Sequence, residues 1–171
     1  MSLDGVDLPD GFRRAMRGLA STVCLVTART VAGPRGMTAT AVMSLSLEPP
    51  TLGVAINRTA SLHPELAQGR PLSIQLLSED QADLAKAFGG GLPPKDRFSL
   101  GWWSCDAWSN PLLEGACANL SCVVDQRVEV ATHSLLVVRV LGVRAAPDAR
   151  PLIYAHGQFT GLPDLEPRCL V

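Results

Sequence analysis

The sequence predicts a mainly β fold with peripheral helices, in which antiparallel strands form a barrel. About seven segments have the apolar or alternating pattern of strands, and only two or three short segments between them have the pattern of helices. Strands and helices do not alternate at the regular spacing that a doubly wound parallel sheet requires. An antiparallel barrel therefore fits the pattern better than a parallel α/β sheet.

The N-terminal part of the chain predicts a short helix, a buried strand and a turn. Asp10 is expected to cap a helix that runs through Arg17 and ends at Gly18. Residues 22–28, TVCLVTA, are apolar on both faces and predict a buried strand. The sequence GPRG at 33–36 predicts the turn that follows this strand.

Residues 36–57, GMTATAVMSLSLEPPTLGVAIN, predict a strand of small residues, a break at Pro49-Pro50 and an apolar strand ending at Asn57. In the first strand, residues separated by even numbers share one side of the extended chain. One side thus carries the hydroxyls of Thr38, Thr40, Ser44 and Ser46. The other side is expected to face the core and carries Met37, Ala39, Ala41, Met43, Leu45 and Leu47. The hydroxyl side either contacts a flat polar ligand or is an ordinary sheet face with Ser/Thr hydrogen bonds.

The later elements are predicted in the order strand 51–56, helix 61–68, strand 72–77, helix 79–88, and strands 116–125, 134–143 and 151–155. Ser78, with Gln81 three residues later, predicts a capping box at the start of the 79–88 helix. The Gly89–Gly91 run and Pro93-Pro94 predict a mobile connection after that helix.

Length and composition predict a single domain over residues 1–171, with a core from about residue 12 to about residue 160. The net charge is −1 and 18% of residues are charged, so a broad basic face for nucleic acid is not expected. A hydrophobic content of 47% indicates that a partner subunit covers some apolar surface. No apolar run reaches the ~20 residues that cross a bilayer, and a signal-peptide pattern is absent, so a cytoplasmic protein is expected.

The five cysteines and three histidines form no metal-binding pattern. The number of cysteines is odd and no C-x-x-C pair occurs, so neither a zinc nor a haem site is expected. Cys24 and Cys122 fall in apolar strands, where free thiols act as small hydrophobic side chains. His63 precedes Pro64 at a predicted helix start and is expected to be solvated.

The segment Asn57–Ser61 lies between a strand end and a predicted helix start and is a candidate anion site. Ser61 is expected to be the N-cap, so that first-turn N–H groups point outward, and Arg58 would add a charged hydrogen bond. No G-x-G-x-x-G fingerprint follows a strand, so a nicotinamide nucleotide would have to bind without a Rossmann unit.

Several segments together resemble the flavin reductase-like family, in particular the reductase components of 4-hydroxyphenylacetate 3-monooxygenase and related two-component monooxygenases. Residues 36–50 match the family's flavin-binding pattern G-x-T-A-x-A-x-x-S-x-S-x-x-P-P. Further matches follow in order: RFSLGWW at 97–103, NPLLEGACANLSC at 110–122, ATH at 131–133 and PLIYAHGQF at 151–159. The resemblance extends from about Phe12 to Phe159, nearly the whole chain.

The resemblance implies the FMN-binding split barrel, assembled as a homodimer, and an NAD(P)H:flavin oxidoreductase. FMN or FAD would be reduced by NADH or NADPH, and the reduced flavin would serve a separate flavin-dependent monooxygenase. Hydride transfer depends on positioning rather than on a strong acid or nucleophile. The lack of a Ser-His-Asp set or a carboxylate pair is therefore compatible with this reaction.

The resemblance also implies roles for individual residues. The candidates for the polar edge of the flavin ring are Thr38, Ala39, Thr40, Ser44, Leu45 and Ser46. The candidates beside the flavin are Phe88, Gly89, Arg97 and Phe98. The candidates at the phosphate end are Asn57, Arg58 and Ser61. His133 is the catalytic candidate, expected to contact the nicotinamide rather than to carry out an obligatory proton transfer.

Two departures from the family pattern leave alternatives open. Ala131 replaces the glycine of the family's Gly-Thr-His segment, and Ala155-His156-Gly157 lacks the basic residues that relatives often carry there. One alternative is a split-barrel oxidase of the pyridoxamine-phosphate type, which should need more basic residues for its second phosphate. The other is a non-catalytic flavin-binding module that has lost the use of NADH.

Overall fold

The computed structural model describes residues 7–163, which form two short helices and twelve strands. The helices are α1 (Leu8–Arg17) and α2 (Ala82–Lys86). The strands are β1 (Ser21–Thr22), β2 (Cys24–Thr30), β3 (Gly33–Ala39), β4 (Val42–Leu47), β5 (Pro50–Asn57), β6 (Pro71–Leu76), β7 (Trp103–Cys105), β8 (Pro111–Leu113), β9 (Ala118–Val130), β10 (His133–Ala145), β11 (Ile153–Ala155) and β12 (Gln158–Thr160). Within residues 7–163, no helix has both the length and the apolar character needed to cross a membrane.

The prediction of a mainly β, antiparallel fold is confirmed. Seven strands form the main sheet in the order β3-β2-β6-β9-β10-β5-β4, and each neighbouring pair is antiparallel. A three-stranded sheet, β1-β11-β12, and the β7-β8 hairpin lie beside it. The strands outnumber the about seven expected from the sequence because short hairpins of three residues per strand carry little sequence pattern.

The main sheet is strongly curved because its two edge strands are consecutive in the chain. Only Thr40 and Ala41 connect β3 to β4, although five strands separate these two in the sheet. A flat sheet would place them ~29 Å apart at ~4.8 Å per strand. The connection spans at most ~11 Å. The sheet therefore curls so that its two edge strands come close together at this connection. The Ala55 N–H donates to the Ala41 carbonyl at 3.0 Å, which continues the β4-β5 pairing into the connection.

The strand β2 is buried on both faces, as its sequence predicts. Cys24 and Val26 belong to the core cluster on one face of the sheet, and Leu25 belongs to a second cluster on the opposite face, under α2. Cys24 and Cys122 are both buried free thiols, and burial raises the pKa of each to about 12. Their predicted role as small hydrophobic side chains is consistent with this environment.

Two predictions about the first elements are wrong. The helix α1 has Asp7 at its N-cap, whereas Asp10 lies in the first turn, where its carboxylate pairs with Arg13 at 2.7 Å. The predicted turn at residues 33–36 is strand β3 instead, and only Gly33, with φ of 103°, has the left-handed conformation of a turn residue. The β2-β3 hairpin brings these residues into the ladder, and that pairing overrides their turn propensity.

The two central helices are shorter and more irregular than predicted. The expected 61–68 helix is a single 3₁₀ turn over His63–Glu65, so Ser61 is not a helix N-cap. The 79–88 helix divides into a 3₁₀ turn (Glu79–Gln81), α2 and a π-helical turn (Ala87–Gly91). The predicted capping box is present, with the Ser78 N–H donating to Gln81 Oε1 at 3.1 Å. The Gly89–Gly91 run is thus part of the π-helical turn, and only the segment after it lacks helical structure up to Arg97.

The predicted strand with a continuous hydroxyl side is also wrong, because the chain bends at Thr40 and Ala41. The bend places Thr38 on one edge of the main sheet and Ser44 on the other. Thr38 Oγ1 donates to the Ala85 carbonyl of α2 at 2.7 Å, whereas Ser44 is exposed. The hydroxyls therefore do not form one face.

The apolar residues of the same segment also differ in burial between β3 and β4. Ala39, on β3, is buried at 6% exposure. On β4 the side chains expected in the core are instead exposed: Met43 at 52%, Leu45 at 47% and Leu47 at 88%. The expectation of a core-facing side thus holds for β3 and fails for β4.

The strand β3 approaches the turn after α2 unusually closely at Gly36. A Cβ atom on Gly36 would lie 2.8 Å from Phe88 Cε1 and 3.0 Å from Thr27 Cγ2. The absence of a side chain thus lets the Phe88 ring lie directly against the β3 backbone. The Gly36 carbonyl accepts a hydrogen bond from Arg97 Nη1 at 2.8 Å.

We expect Gly36→Ala to lower the free energy of unfolding by about 1–3 kcal/mol, because the added methyl group has no room. Gly142→Ala is the matched control, since its Cβ would meet nothing closer than Ser121 Cβ at 3.9 Å. The control should change stability by no more than about 1 kcal/mol. Urea denaturation of both variants measures the difference, and equal losses would contradict this account of the packing.

Candidate functional site

A cavity of about 480 Å³ opens between β3, the loop after β5 and the segment from Phe88 to Arg97. Five of its lining residues were predicted from the sequence: Thr38, Ser61, Phe88, Gly89 and Arg97. Five others were not: Met37, Thr59, Ala60, Gly90 and Pro94. The lining combines hydroxyls, one guanidinium group and apolar side chains, which is the usual composition of a small-molecule site.

Arg97 supplies the positive charge of this cavity. Its Nε donates to the Leu92 carbonyl at 3.0 Å and its Nη1 donates to the Gly36 carbonyl at 2.8 Å, so the guanidinium group is fixed in place. Among residues 7–163, no carboxylate forms an ion pair with it. Burial lowers the pKa of Arg97 from its ordinary value, although an arginine remains protonated at neutral pH. The cavity thus contains a cation that has no carboxylate partner within the described part of the chain.

The loop after β5 lines the same cavity as Arg97 and is shaped by Asn57. Asn57 Oδ1 accepts hydrogen bonds from both the backbone N–H and the hydroxyl of Thr59, each at 2.9 Å. This Asx-type turn places Thr59, Ala60 and Ser61 along the cavity wall. Asn57 therefore builds the loop without lining the cavity itself.

Phe88 forms the apolar floor, and its ring is held by other aromatic side chains. It is 1% exposed and packs edge-on against Phe98 at a centroid distance of 5.0 Å. Trp103 lies 5.7 Å from Phe88 and 4.9 Å from Phe98. Phe98, a sequence-predicted candidate, thus supports Phe88 from behind and does not line the cavity.

Arg58 and His133 lie together at the end of the β5-β10 ladder, outside the cavity lining. His133 pairs in register with Asn57, and its Nδ1 lies 2.9 Å from Thr132 Oγ1. The Arg58 guanidinium turns back onto the β9-β10 turn, where Nη1 donates to the Ala131 carbonyl at 3.2 Å. Both residues therefore lie next to the Thr59–Ser61 loop, and neither forms part of the cavity wall.

The remaining ring candidates do not line this cavity. Ala39 is buried in the core, so only its backbone is available to a ligand, and Thr40 lies in the bend after β3. Ser44 and Leu45 are exposed on β4, the edge strand. Ser46 Oγ donates to the Glu48 carbonyl and accepts from the Glu48 N–H, each at 3.1 Å, in a local turn.

The structure shows a buried polar network beneath the loop that the sequence did not predict. His63, expected to be solvated, is 7% exposed, and its Nε2 lies 2.7 Å from Ser134 Oγ and 2.9 Å from Arg127 Nη2. Burial, and secondarily Arg127, lowers the pKa of His63, which favours the neutral imidazole. Ser134 Oγ in turn lies 3.0 Å from both carboxylate oxygens of Glu129.

The residues missed at the sequence level fall into two groups. Thr59 and Ala60 lie between Arg58 and Ser61, so continuity along the loop was a usable signal for them. Gly90 and Pro94 lie in the segment expected to be mobile. The His63–Ser134 contact joins residues 71 positions apart and has no local signal.

Comparisons with known proteins identify the family of this chain. The model of the flavin reductase like domain family matches residues 16–163. An FMN reductase (NADH), RutF, of Stutzerimonas stutzeri is 37% identical over 153 residues, which cover 90% of this chain and 88% of that protein.

Two solved structures are similar in fold. BorF, the flavin reductase component of a bacterial two-component tryptophan halogenase, superposes with a TM-score of 0.83 at 29% identity, covering 92% of this chain and 99% of that one. An NADH:FAD oxidoreductase of Streptomyces globisporus superposes with a TM-score of 0.84 at 26% identity, covering 98% of this chain and 96% of that one. The family model spans most of the chain, and the protein therefore belongs to the flavin reductase-like family.

Proposed function

We propose that this protein catalyses the reduction of FMN by NADH and that the reduced flavin then serves a separate flavin-dependent monooxygenase. The RutF relative, named as an FMN reductase that uses NADH, supports FMN over FAD and NADH over NADPH. BorF, named as one component of a two-component system, supports delivery of the product to a second protein.

The observation that carries this proposal is the convergence of Arg97 and the Thr59–Ser61 loop on one cavity beside the Phe88 ring. A guanidinium group and hydroxyls suit a phosphate, and apolar walls suit an aromatic ring system. FMN combines these two chemical groups in one molecule. The donor set thus fits a flavin mononucleotide better than a neutral or cationic ligand.

The residues of the chain would act by binding and orientation. Bound flavin supplies the hydride acceptor. Arg97 would offset the phosphate charge, and a charged hydrogen bond of this kind contributes about 1.5–3 kcal/mol. Thr59 and Ser61 would add donors from the loop after β5. Thr40 and the Ser44–Ser46 stretch of β4 would lie along the ring edge. His133 would contact the nicotinamide from the start of β10.

Anaerobic stopped-flow mixing of NADH with the protein and FMN tests the reaction. We expect the visible absorbance of the flavin to be lost at a rate that rises with protein concentration. In the same assay, His133→Ala should raise the KM for NADH more than it lowers kcat, because a positioning contact is removed. Flavin binding without bleaching would instead support the non-catalytic alternative.

Replacement of Arg97 tests where the phosphate lies. We expect Arg97→Ala to weaken FMN binding about tenfold or more, since a charged hydrogen bond is lost. Binding of riboflavin, which lacks the phosphate, should fall much less. Arg139→Ala is the control, because Arg139 is an exposed cation that pairs with Asp125 on the surface. An equal loss of affinity for FMN and riboflavin would show that the phosphate does not lie against Arg97.

A homodimer is also part of this proposal, and β4 supplies the supporting observation. This strand is an edge of the main sheet and exposes Met43, Leu45 and Leu47. Monomeric proteins rarely leave an apolar edge strand open, because it favours association with another chain. A second copy that covers β4 would also enclose the ring candidates on that strand.

Sedimentation analysis tests the homodimer. The natural protein should sediment with the mass of two chains, and Leu47→Glu should shift it towards one chain because a charge would be buried in the interface. Val31→Glu is the control, since Val31 is fully exposed at the tip of the β2-β3 hairpin. A single-chain mass for the natural protein would exclude this assembly.

A further inference from the structure

Arg58 is held back from the cavity by three contacts with the β9-β10 hairpin. Its backbone N–H donates to the Thr132 carbonyl at 3.0 Å, and its Nη1 donates to the Ala131 carbonyl at 3.2 Å. Its Nε lies 3.7 Å from a carboxylate oxygen of Glu129. The residue that follows it, Thr59, already lines the cavity. The guanidinium group is thus adjacent to the site but directed to an internal acid.

Glu129 is well placed to retain Arg58 without locking it. The distance of 3.7 Å is an ion pair but is too long for a hydrogen bond, and both side chains are about half exposed, at 56% and 51%. An exposed pair of this kind is weak and can be broken by a competing anion. Glu129 itself is anchored by Arg127 at 2.9 Å and by Ser134 at 3.0 Å, and these contacts keep the carboxylate in place.

We propose that Glu129 is a positioning residue that competes with the phosphate of the flavin for Arg58 and so weakens the binding of phosphorylated flavin. The inference rests on the proposed function, because it assumes that a flavin phosphate enters the adjoining cavity. When the phosphate is present, Arg58 exchanges the Glu129 carboxylate for the phosphate. The binding free energy of phosphorylated flavin is therefore reduced by the pair that must be broken, and this applies to oxidised and reduced flavin alike.

The Glu129→Gln variant isolates this competition. The amide oxygen of glutamine can still accept from Arg127 and Ser134, so the buried network around His63 keeps an acceptor. The negative charge that attracts Arg58 is removed. We expect FMN to bind about two- to fivefold more tightly, which is the range of an exposed ion pair, and the affinity for riboflavin to stay unchanged.

Two controls separate this effect from general electrostatics and from local disturbance. Asp125→Asn removes the same charge from the same strand, β9, where Asp125 pairs with Arg139 instead. It should leave FMN affinity unchanged. In an Arg58→Ala background, Glu129→Gln should no longer strengthen FMN binding, because the cation for which the two anions compete is absent.

Equilibrium dialysis of FMN and riboflavin against the full-length protein and these variants, at one pH and one ionic strength, gives the answer. If the natural protein binds neither flavin, the proposed function itself fails. The competition is refuted, and the proposed function stands, in three cases in which the natural protein binds FMN. Glu129→Gln changes the affinities for FMN and riboflavin equally, it changes neither affinity, or it strengthens FMN binding equally in the Arg58→Ala background.

Discussion

The two-residue connection between β3 and β4 is the constraint on which this molecule depends. Because these strands are the opposite edges of a seven-stranded sheet, Thr40 and Ala41 can join them only if the sheet curls around its own core. The curl encloses one apolar cluster within the sheet and leaves a second to be covered by α2 and the turn that follows it. It also explains why one sequence motif contributes to both edge strands of the sheet.

The candidate site is a consequence of this arrangement. The second half of β3, the loop after β5 and the segment after α2 all meet at one end of the curved sheet. Gly36 allows Phe88 to lie directly against β3, and the carbonyl of the same glycine holds the Arg97 guanidinium. One small residue thus sets the position of both the apolar floor and the cation. The site is built from backbone geometry more than from a set of reactive side chains, as suits a reaction that depends on orientation.

Charge is distributed unevenly around this end of the sheet. Arg97 lacks a carboxylate partner among the described residues, whereas Arg58 and Arg127 share Glu129. Hydrogen bonds from Arg127 and Ser134 hold the pKa of Glu129 below its ordinary value, so it stays ionised at neutral pH. The two cations near the candidate phosphate position are therefore not equivalent. Arg97 is available without rearrangement, whereas Arg58 must first break its half-exposed ion pair with Glu129.

Local signals in the sequence were sufficient to predict the antiparallel β class, the capping box at Ser78 and Gln81, the burial of β2 and five residues of the cavity. Each of these depends on neighbours in the chain or on the family motif. Other features depend on partners far away in the sequence. Four such features follow from which strands become edges and which loops meet. They are the bend at Thr40, the exposure of Leu45 and Leu47, the burial of His63 against Ser134, and the ion pair that turns Arg58 away from the cavity. Residue periodicity describes the two sides of a strand, but only the curvature and strand order of the sheet decide what lies against each side.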